Sequence, residues 1–448
     1  MQVREDQPTR RGLLTGKGLL RASAAGVAVA AAAKSAQARS SAASLPPVLL
    51  QLYLRGGADG LTLCVPYDDP HYRAKRVFTR VPAPQETGDP NLDATKIQNA
   101  CSGAPAFGIP PALKKLKPLY DDGELVFVHA CGSKDPTRSH FLQQSYTERG
   151  EITDTPNQDA NGWIGRHLAT STPLGSGSLR ALGFNTFAIE SYAGGNGVTP
   201  TPEPETFTFP GDPIFAQKIQ DMYVDFGEPL ATAMVNDQEA VAKLQGVDWD
   251  AGSDAYPDSV LGSQFKRSFQ VINSVPDIEV ISLDYDNITG QRWDTHNSQG
   301  VFDGTMKNLM EDLSDSLVAF LDDMRDIDRR VIVLVYTEFG RTLQENDGKG
   351  TDHGRGGVAL LAGDGVDGKR VVTQWPGLDP DSLDPPTTGD LAVTIDIRDV
   401  QGEIVVELLG NTIANVFPDT EYSYQTRGLL GTSQVQGVCY QQQHQTAP

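Results

Sequence analysis

The chain has 448 residues, with 58 Asp and Glu against 37 Lys and Arg, a formal net charge of −21 at pH 7. That excess of acid repels phosphate backbones and argues against nucleic-acid binding. With 39% hydrophobic residues, the chain can bury the core of one large α/β domain with insertions, or of two domains.

Residues 1–38 read as a targeting segment rather than as fold. Thr9-Arg10-Arg11-Gly12-Leu13-Leu14 is a twin-arginine signature, the stretch 18–33 is Ala-rich and weakly apolar, and Ala36-Gln37-Ala38 is a cleavage site. No later apolar run approaches the length of a membrane span. The expectation is a periplasmic or secreted protein, exported folded by the Tat translocase and without a stable membrane span. Cleavage after Ala38 removes six basic and two acidic side chains, so the mature chain carries −21 − 4 = −25. An exported protein can keep disulfides. Of Cys64, Cys101, Cys131 and Cys439, the pair Cys101 with Cys131 suits best, and buried free thiols are equally compatible.

The folded domain is expected over 45–430, with insertions near 82–111 and 194–275, and a Gln-rich tail over 431–448 is expected to be poorly ordered. Residues 48–54 (VLLQLYL) are an apolar run that ends in Arg55-Gly56-Gly57-Ala58-Asp59-Gly60. Such a run suits a strand buried on both faces of a parallel sheet. The stretch 82–111, rich in Pro, Gly, Asn and Gln, reads as an irregular surface excursion, and 112–122 as a short helix. Residues 125–129 (LVFVH) form a second strand whose exit carries Arg138, Ser139 and His140 before a helix. A serine there faces unpaired N–H groups and the positive end of the helix dipole, which suits a nucleophile and equally an ordinary cap.

Helical patterns follow over 161–169 and across most of 212–275, broken by an acidic loop at 246–257 that reads as solvated surface. Residues 278–285 (IEVISLDY) are a third strand, followed by Trp293-Asp294-Thr295-His296. The stretch 302–327 is a long amphipathic helix whose methionines are core packing. It leads into a fourth buried strand at 331–335, after which come Glu338, Arg341 and a Gly-rich loop ending in Asp352-His353. A further strand at 358–361 and a helix at 399–409 complete the pattern.

Four apolar runs thus each end in a cluster containing an acid, a His or a helix-starting Ser. Strands of a parallel sheet end on one edge, where ligands bind, so these clusters should converge. Together they supply Asp59, Ser139, Asp294, His296, Glu338, Asp352 and His353. These suffice for one or two divalent cations beside a serine, an arrangement suited to phosphoryl or sulfuryl transfer.

The segments LRGGADGLTLCVPYDDPHY, TRSHF, WDTHNSQ, TEFGRTL, GTDHG and the closing DIRDV, ELLG and VFP resemble the DUF1501 family of exported bacterial proteins, from about 48 to 430. The resemblance implies the alkaline phosphatase/sulfatase superfamily and its doubly wound, mostly parallel sheet with helices on both faces. It implies Asp59, Asp294, His296, Glu338, Asp352 and His353 as metal ligands and Ser139 as nucleophile. Arg341 and Arg138 would clamp the ester oxygens. Two departures stand out. The exit that usually carries Asp-His reads Glu338-Phe339 here. Cys131-Gly132-Ser133-Lys134-Asp135 does not match the Cys-x-Pro-x-Arg that a formylglycine sulfatase requires. The resulting expectation is an exported hydrolase of phosphate or sulfate esters, small or polymer-attached, using one or two divalent metals (Zn, Mn, Mg or Ca). The alternative is a non-catalytic binding or assembly protein that keeps the fold and a structural metal.

Overall fold

The apolar runs become the strands of one sheet because each is buried along its whole length. In the computed structural model, the described residues are 45–431 apart from 101–102, 153–160, 174, 185–188, 209–212, 286–291, 387–388 and 420. The targeting segment 1–38, the tail 432–448, Cys101 and Cys439 lie outside them. The sheet strands are β1 (Val48–Tyr53), β2 (Leu125–Gly132), β3 (Ala181–Gly183), β4 (Val198–Pro200), β5 (Val280–Asp284), β6 (Val331–Tyr336), β7 (Gly357–Gly363), β8 (Arg370–Val372) and β9 (Ile395–Asp396). Their order is β8-β2-β7-β6-β1-β5-β3-β4, with β9 also paired to β2. β1 runs parallel to both β5 and β6 at the centre. Only β7 is antiparallel to its neighbours β2 and β6. No crossover helix separates β6 from β7, and a parallel return would need one.

Alternation along β1 sends its side chains to two cores. Leu50 and Leu52 pack with Phe265 and Phe269 of α5 (Val260–Ser274) and with Leu313, Leu317 and Phe320 of α6 (Thr305–Met324). Leu49 and Tyr53 pack on the other face with Ile164 and Leu168 of α2 (Trp163–Thr170) and with Val400 and Ile404 of α7 (Ile397–Glu407). Fully burying one such Leu or Phe stabilises by about 1.5–3 kcal/mol. The fold is therefore a mostly parallel sheet with helices on both faces, as expected. Met306, Met310 and Met324 lie in the core, as the helical spacing of α6 implied.

Two local expectations are corrected. The excursion 82–111 contains a two-stranded ribbon, Thr95–Gln98 with Phe107–Ile109. The Gly-rich loop after β6 is likewise a ribbon, Arg341–Glu345 paired with Thr351–His353, because backbone pairing satisfies N–H and C=O groups that a loose loop would leave to water. Cys131 and Cys64 are buried free thiols, one of the two arrangements the sequence allows, and Cys101 lies outside the described residues. Burial pushes both thiols up, away from reactivity. In the insertion 194–275, β4 extends the sheet, α3 (Pro213–Phe226) and α4 (Leu230–Gln245) follow, and α5 covers one face. No described helix is long and apolar enough to cross a membrane.

Candidate metal centre

β1, β2, β5 and β6 run in one direction, so their carboxyl ends share an edge. The turn after β1 lies against the segment after β5. Gly56, at φ 118°, lies where a Cβ would sit 2.5 Å from the Asp294 backbone nitrogen, and one on Gly57, at φ 71°, would strike the Phe339 ring. Only glycine allows both the positive φ and this approach. Helix α1 (His140–Arg149) starts on the same edge, and the ribbon after β6 brings His353 to it.

Three imidazoles and one carboxylate meet there. His353 Nε2 lies 2.9 Å from both His140 Nε2 and His296 Nε2. Asp294 Oδ1 is 3.2 Å from His353 Nε2 and 3.1 Å from His296 Nε2, and its Oδ2 is 3.6 Å from His140 Nε2. His140, Asp294 and His353 are all partly buried, and each offers a ligand atom within 4.8 Å of the others.

The outward-facing nitrogens explain this inward convergence. His353 Nδ1 is 2.9 Å from the Arg138 carbonyl, which can only accept, so Nδ1 carries the proton. His296 Nδ1 meets Asp352 Oδ1 at 2.7 Å, and His140 Nδ1 meets Glu338 Oε1 at 2.8 Å. In each neutral ring the Nε2 is then a bare lone pair, and three lone pairs face one point beside a carboxylate. Lone pairs at that spacing repel unless a cation lies among them. Imidazoles oriented by oxygen acceptors on their far nitrogens are the arrangement that metal-binding histidines require. The residues present therefore fit a divalent cation.

The local charges agree. Burial disfavours ionisation of Asp294, but His140, His353 and the Arg341 guanidinium together outweigh it and hold the carboxyl well below the usual range. Burial opposes a charge on His140, yet bonds to Asp294 and Glu338 bring it up to about 9, and a cation at its Nε2 would take the place of that proton. Glu338 is itself buried, and bonds from His140 and Gln144 keep it ionised nevertheless. It also accepts from the Gly56 backbone N–H at 2.8 Å, tying the β1 turn to the centre. Glu338→Gln, with its amide positioned to mispair with His140, is expected to lower metal affinity by about 10–100-fold while the chain stays folded. Competition against a fluorescent chelator measures this, and circular dichroism checks the fold.

The structure sorts the sequence candidates into distinct places. Asp294, His296 and His353 face the shared point. Asp352 and Glu338, expected as ligands, instead stand behind His296 and His140 as hydrogen-bond acceptors. Asp59 is outside the cluster. It is fully buried and gripped by Arg76 at 2.5 and 3.1 Å, with Thr62 and Gln299 also donating to it. Both its oxygens are taken up by donors away from the imidazoles, so it does not face the shared point. Arg341, expected as an ester clamp, is buried and turned inward. It donates to the carbonyls of Gly56, Gly57, Trp293 and Thr351 and to Asp294 at 2.6 Å. Arg138 pairs with Asp390 at 2.6 Å and remains partly exposed. Ser139 is at the N-cap of α1, where its side chain makes no capping bond. His140, the next residue, stands in the TRSHF segment and is not among the sequence candidates. Its signal was a histidine directly after a strand exit, the same signal that marked His296 and His353.

Among solved structures, the periplasmic domain of EcEptC from Escherichia coli, in complex with Zn, is 9% identical. That match covers 71% of this chain and 73% of that one at a TM-score of 0.33. The PsFucS1 sulfatase from Pseudoalteromonas sp. is 11% identical, covering 87% and 71% at a TM-score of 0.34. A phosphonate monoester hydrolase of Agrobacterium radiobacter is 9% identical, covering 85% and 79% at a TM-score of 0.28. No curated protein matches the sequence. The model of a family described as "Protein of unknown function (DUF1501)" matches residues 273–398. That span holds Asp294, His296, Glu338, Asp352 and His353.

Proposed function

We propose that the cluster binds one divalent cation and that the protein hydrolyses phosphate or sulfate esters outside the cytoplasm, after twin-arginine export. The observation that carries this reading is the meeting of three Nε2 lone pairs and the Asp294 carboxylate, each imidazole fixed by an acceptor behind it. Three imidazoles suit zinc better than manganese, magnesium or calcium, which prefer oxygen ligands. One cation rather than two suits the donors that converge, since Asp59 stands outside them.

A cation held there would neutralise ester oxygens and lower the pKa of a nearby hydroxyl. The chain's own part is positional. Ser139 directly precedes His140, and its hydroxyl is not engaged in capping, which suits a nucleophile whose proton must leave. The first N–H groups of α1 and the partly exposed Arg138 guanidinium suit the anionic oxygens. Ser139→Ala is expected to reduce phosphate-ester turnover at least about 100-fold with metal content unchanged. Turnover rates and elemental analysis on the same preparations check this. Undiminished turnover removes Ser139 from the reaction.

One observation favours a second reading, a metal-holding binding protein without turnover. Arg341 is wholly engaged inside the fold and Arg138 is paired with Asp390, which leaves few free cations for an anionic ester. Stoichiometric metal with no turnover across a phosphate- and sulfate-ester panel would select that reading.

A further inference from the structure

We propose that α3 (Pro213–Phe226) pairs with the α3 of a second copy of this chain, antiparallel about a two-fold axis. This stands apart from the metal centre and does not depend on it. Of the fourteen exposed large apolar side chains among the described residues, seven lie in the hairpin of α3 and α4. α3 packs mainly on α4, and its outer face stays in water. Along that face Phe215, Ile219, Met222 and Phe226 are spaced by four, three and four residues, the seam of a coiled coil. Met222 is 57% and Phe226 69% exposed, Phe215 is half-exposed and Ile219 partly buried. In α6 the corresponding stripe is buried in the core. Left in water it carries a cost that a second helix would remove.

The charges beside the seam select the occupant. Lys218 and Asp225 are exposed and lie seven residues apart, on one flank of the stripe. Let two copies run antiparallel, with Phe215 against the partner's Phe226 and Ile219 against the partner's Met222. Coiled-coil geometry then sets Lys218 beside the partner's Asp225. The two-fold axis repeats each of these contacts, so the ion pair forms twice. On the other flank the same register joins Ala216 to the partner's Tyr223, both uncharged. A two-fold contact must be complementary to itself, and this face is so in polarity and in local charge. A parallel pair would set Lys218 beside the partner's Tyr223 and form no such ion pair. Nor does the helix suit a lipid surface, since Lys218 stands against Asp221 and Asp225 where a basic polar face is needed. The like net charge of the two copies opposes their meeting, so the dimer is weak and depends on concentration.

The test is sedimentation equilibrium of the purified protein at concentrations up to about 100 μM. Wild type is compared with Met222→Lys, Lys218→Asp, Asp225→Lys and the exchanged pair Lys218→Asp/Asp225→Lys. All three positions are exposed, so the variants should keep the fold, which circular dichroism checks. Wild type should pass from monomer to dimer as concentration rises. Met222→Lys puts a charge in the seam and should weaken the dimer at least about tenfold. Each single reversal sets like charges together at two contacts and should weaken it about tenfold, while the exchanged pair should return to within about threefold of wild type. A wild type that stays monomeric throughout, or a dimer indifferent to Met222→Lys, overturns the proposal. So does an exchanged pair no stronger than the single reversals. A monomer that instead co-sediments with phosphatidylcholine vesicles, and loses this in Met222→Lys, assigns the stripe to a lipid surface and overturns it too.

Discussion

Replacing His353 by Ala is expected to abolish metal binding outright. His353 Nε2 is the point nearest every other donor, 2.9 Å from two imidazole nitrogens and 3.2 Å from the Asp294 carboxylate. Removing it leaves His140 and His296 with no nitrogen between them. Loss of a direct ligand should exceed the about 10–100-fold effect typical of an orienting residue. Purified His353→Ala should therefore hold well under a tenth of the wild-type metal, and ester turnover should disappear with it. The fold should survive, because the side chain is partly exposed and its one bond to the backbone is at Arg138. Wild-type metal content in this variant would show that the imidazoles meet for another reason.

Removing Arg76 should have the largest effect on stability, and little effect through the metal. Its side chain and that of Asp59 are fully buried, at 0% exposure each. The guanidinium also donates to the carbonyls of Thr342 and Leu343, tying the first turn of the chain to the ribbon. Arg76→Ala leaves an ionised Asp59 without a charged partner and removes the guanidinium donors of two carbonyls, and breaking a buried pair in this way costs about 3–5 kcal/mol. Urea unfolding of the cation-loaded protein measures it. Burial alone would raise the Asp59 carboxyl, but the Arg76 charge and the surrounding bonds hold it below its ordinary value. A group lowered in the folded state stabilises above its unfolded pKa, and that contribution fades as pH falls through the folded value. The deficit of Arg76→Ala should therefore be full at pH 7 and shrink in acid. The neutral pair Asp59→Asn/Arg76→Met should recover much of the loss. Metal content of Asp59→Asn near wild type would confirm that Asp59 is structural; loss of metal would return it to the ligand set.

The contrast between Asp59 and Asp294 shows why the sequence could find the neighbourhood of the site but not its membership. Both acids follow buried parallel strands, and by pattern they are equivalent. Each meets an arginine, and what separates them is the rest of the surroundings: Asp59 is closed in by Arg76, Thr62 and Gln299, whereas Asp294 faces three imidazoles. Glu338 and Asp352 illustrate the same limit. Each stands one hydrogen bond behind the centre, a distance of a few ångströms that spacing along the chain does not encode. Ser139 and His140 are adjacent, and only the direction of each side chain at the start of α1 decides which one faces the imidazoles.

By itself the sequence determined the four long buried strands, since their apolar runs are too short for a buried helix and end in Gly-rich or polar turns. It determined the two helical faces that cover that sheet, and the edge where polar clusters must gather, because parallel strands end together. The tertiary structure alone decided which donors converge. Metal coordination depends on side-chain direction and on which carboxylates are already neutralised by a neighbour. It also decided that β7 runs against its neighbours and that Arg341 braces the centre from within. Both outcomes follow from contacts between segments far apart in the chain, which no local pattern records.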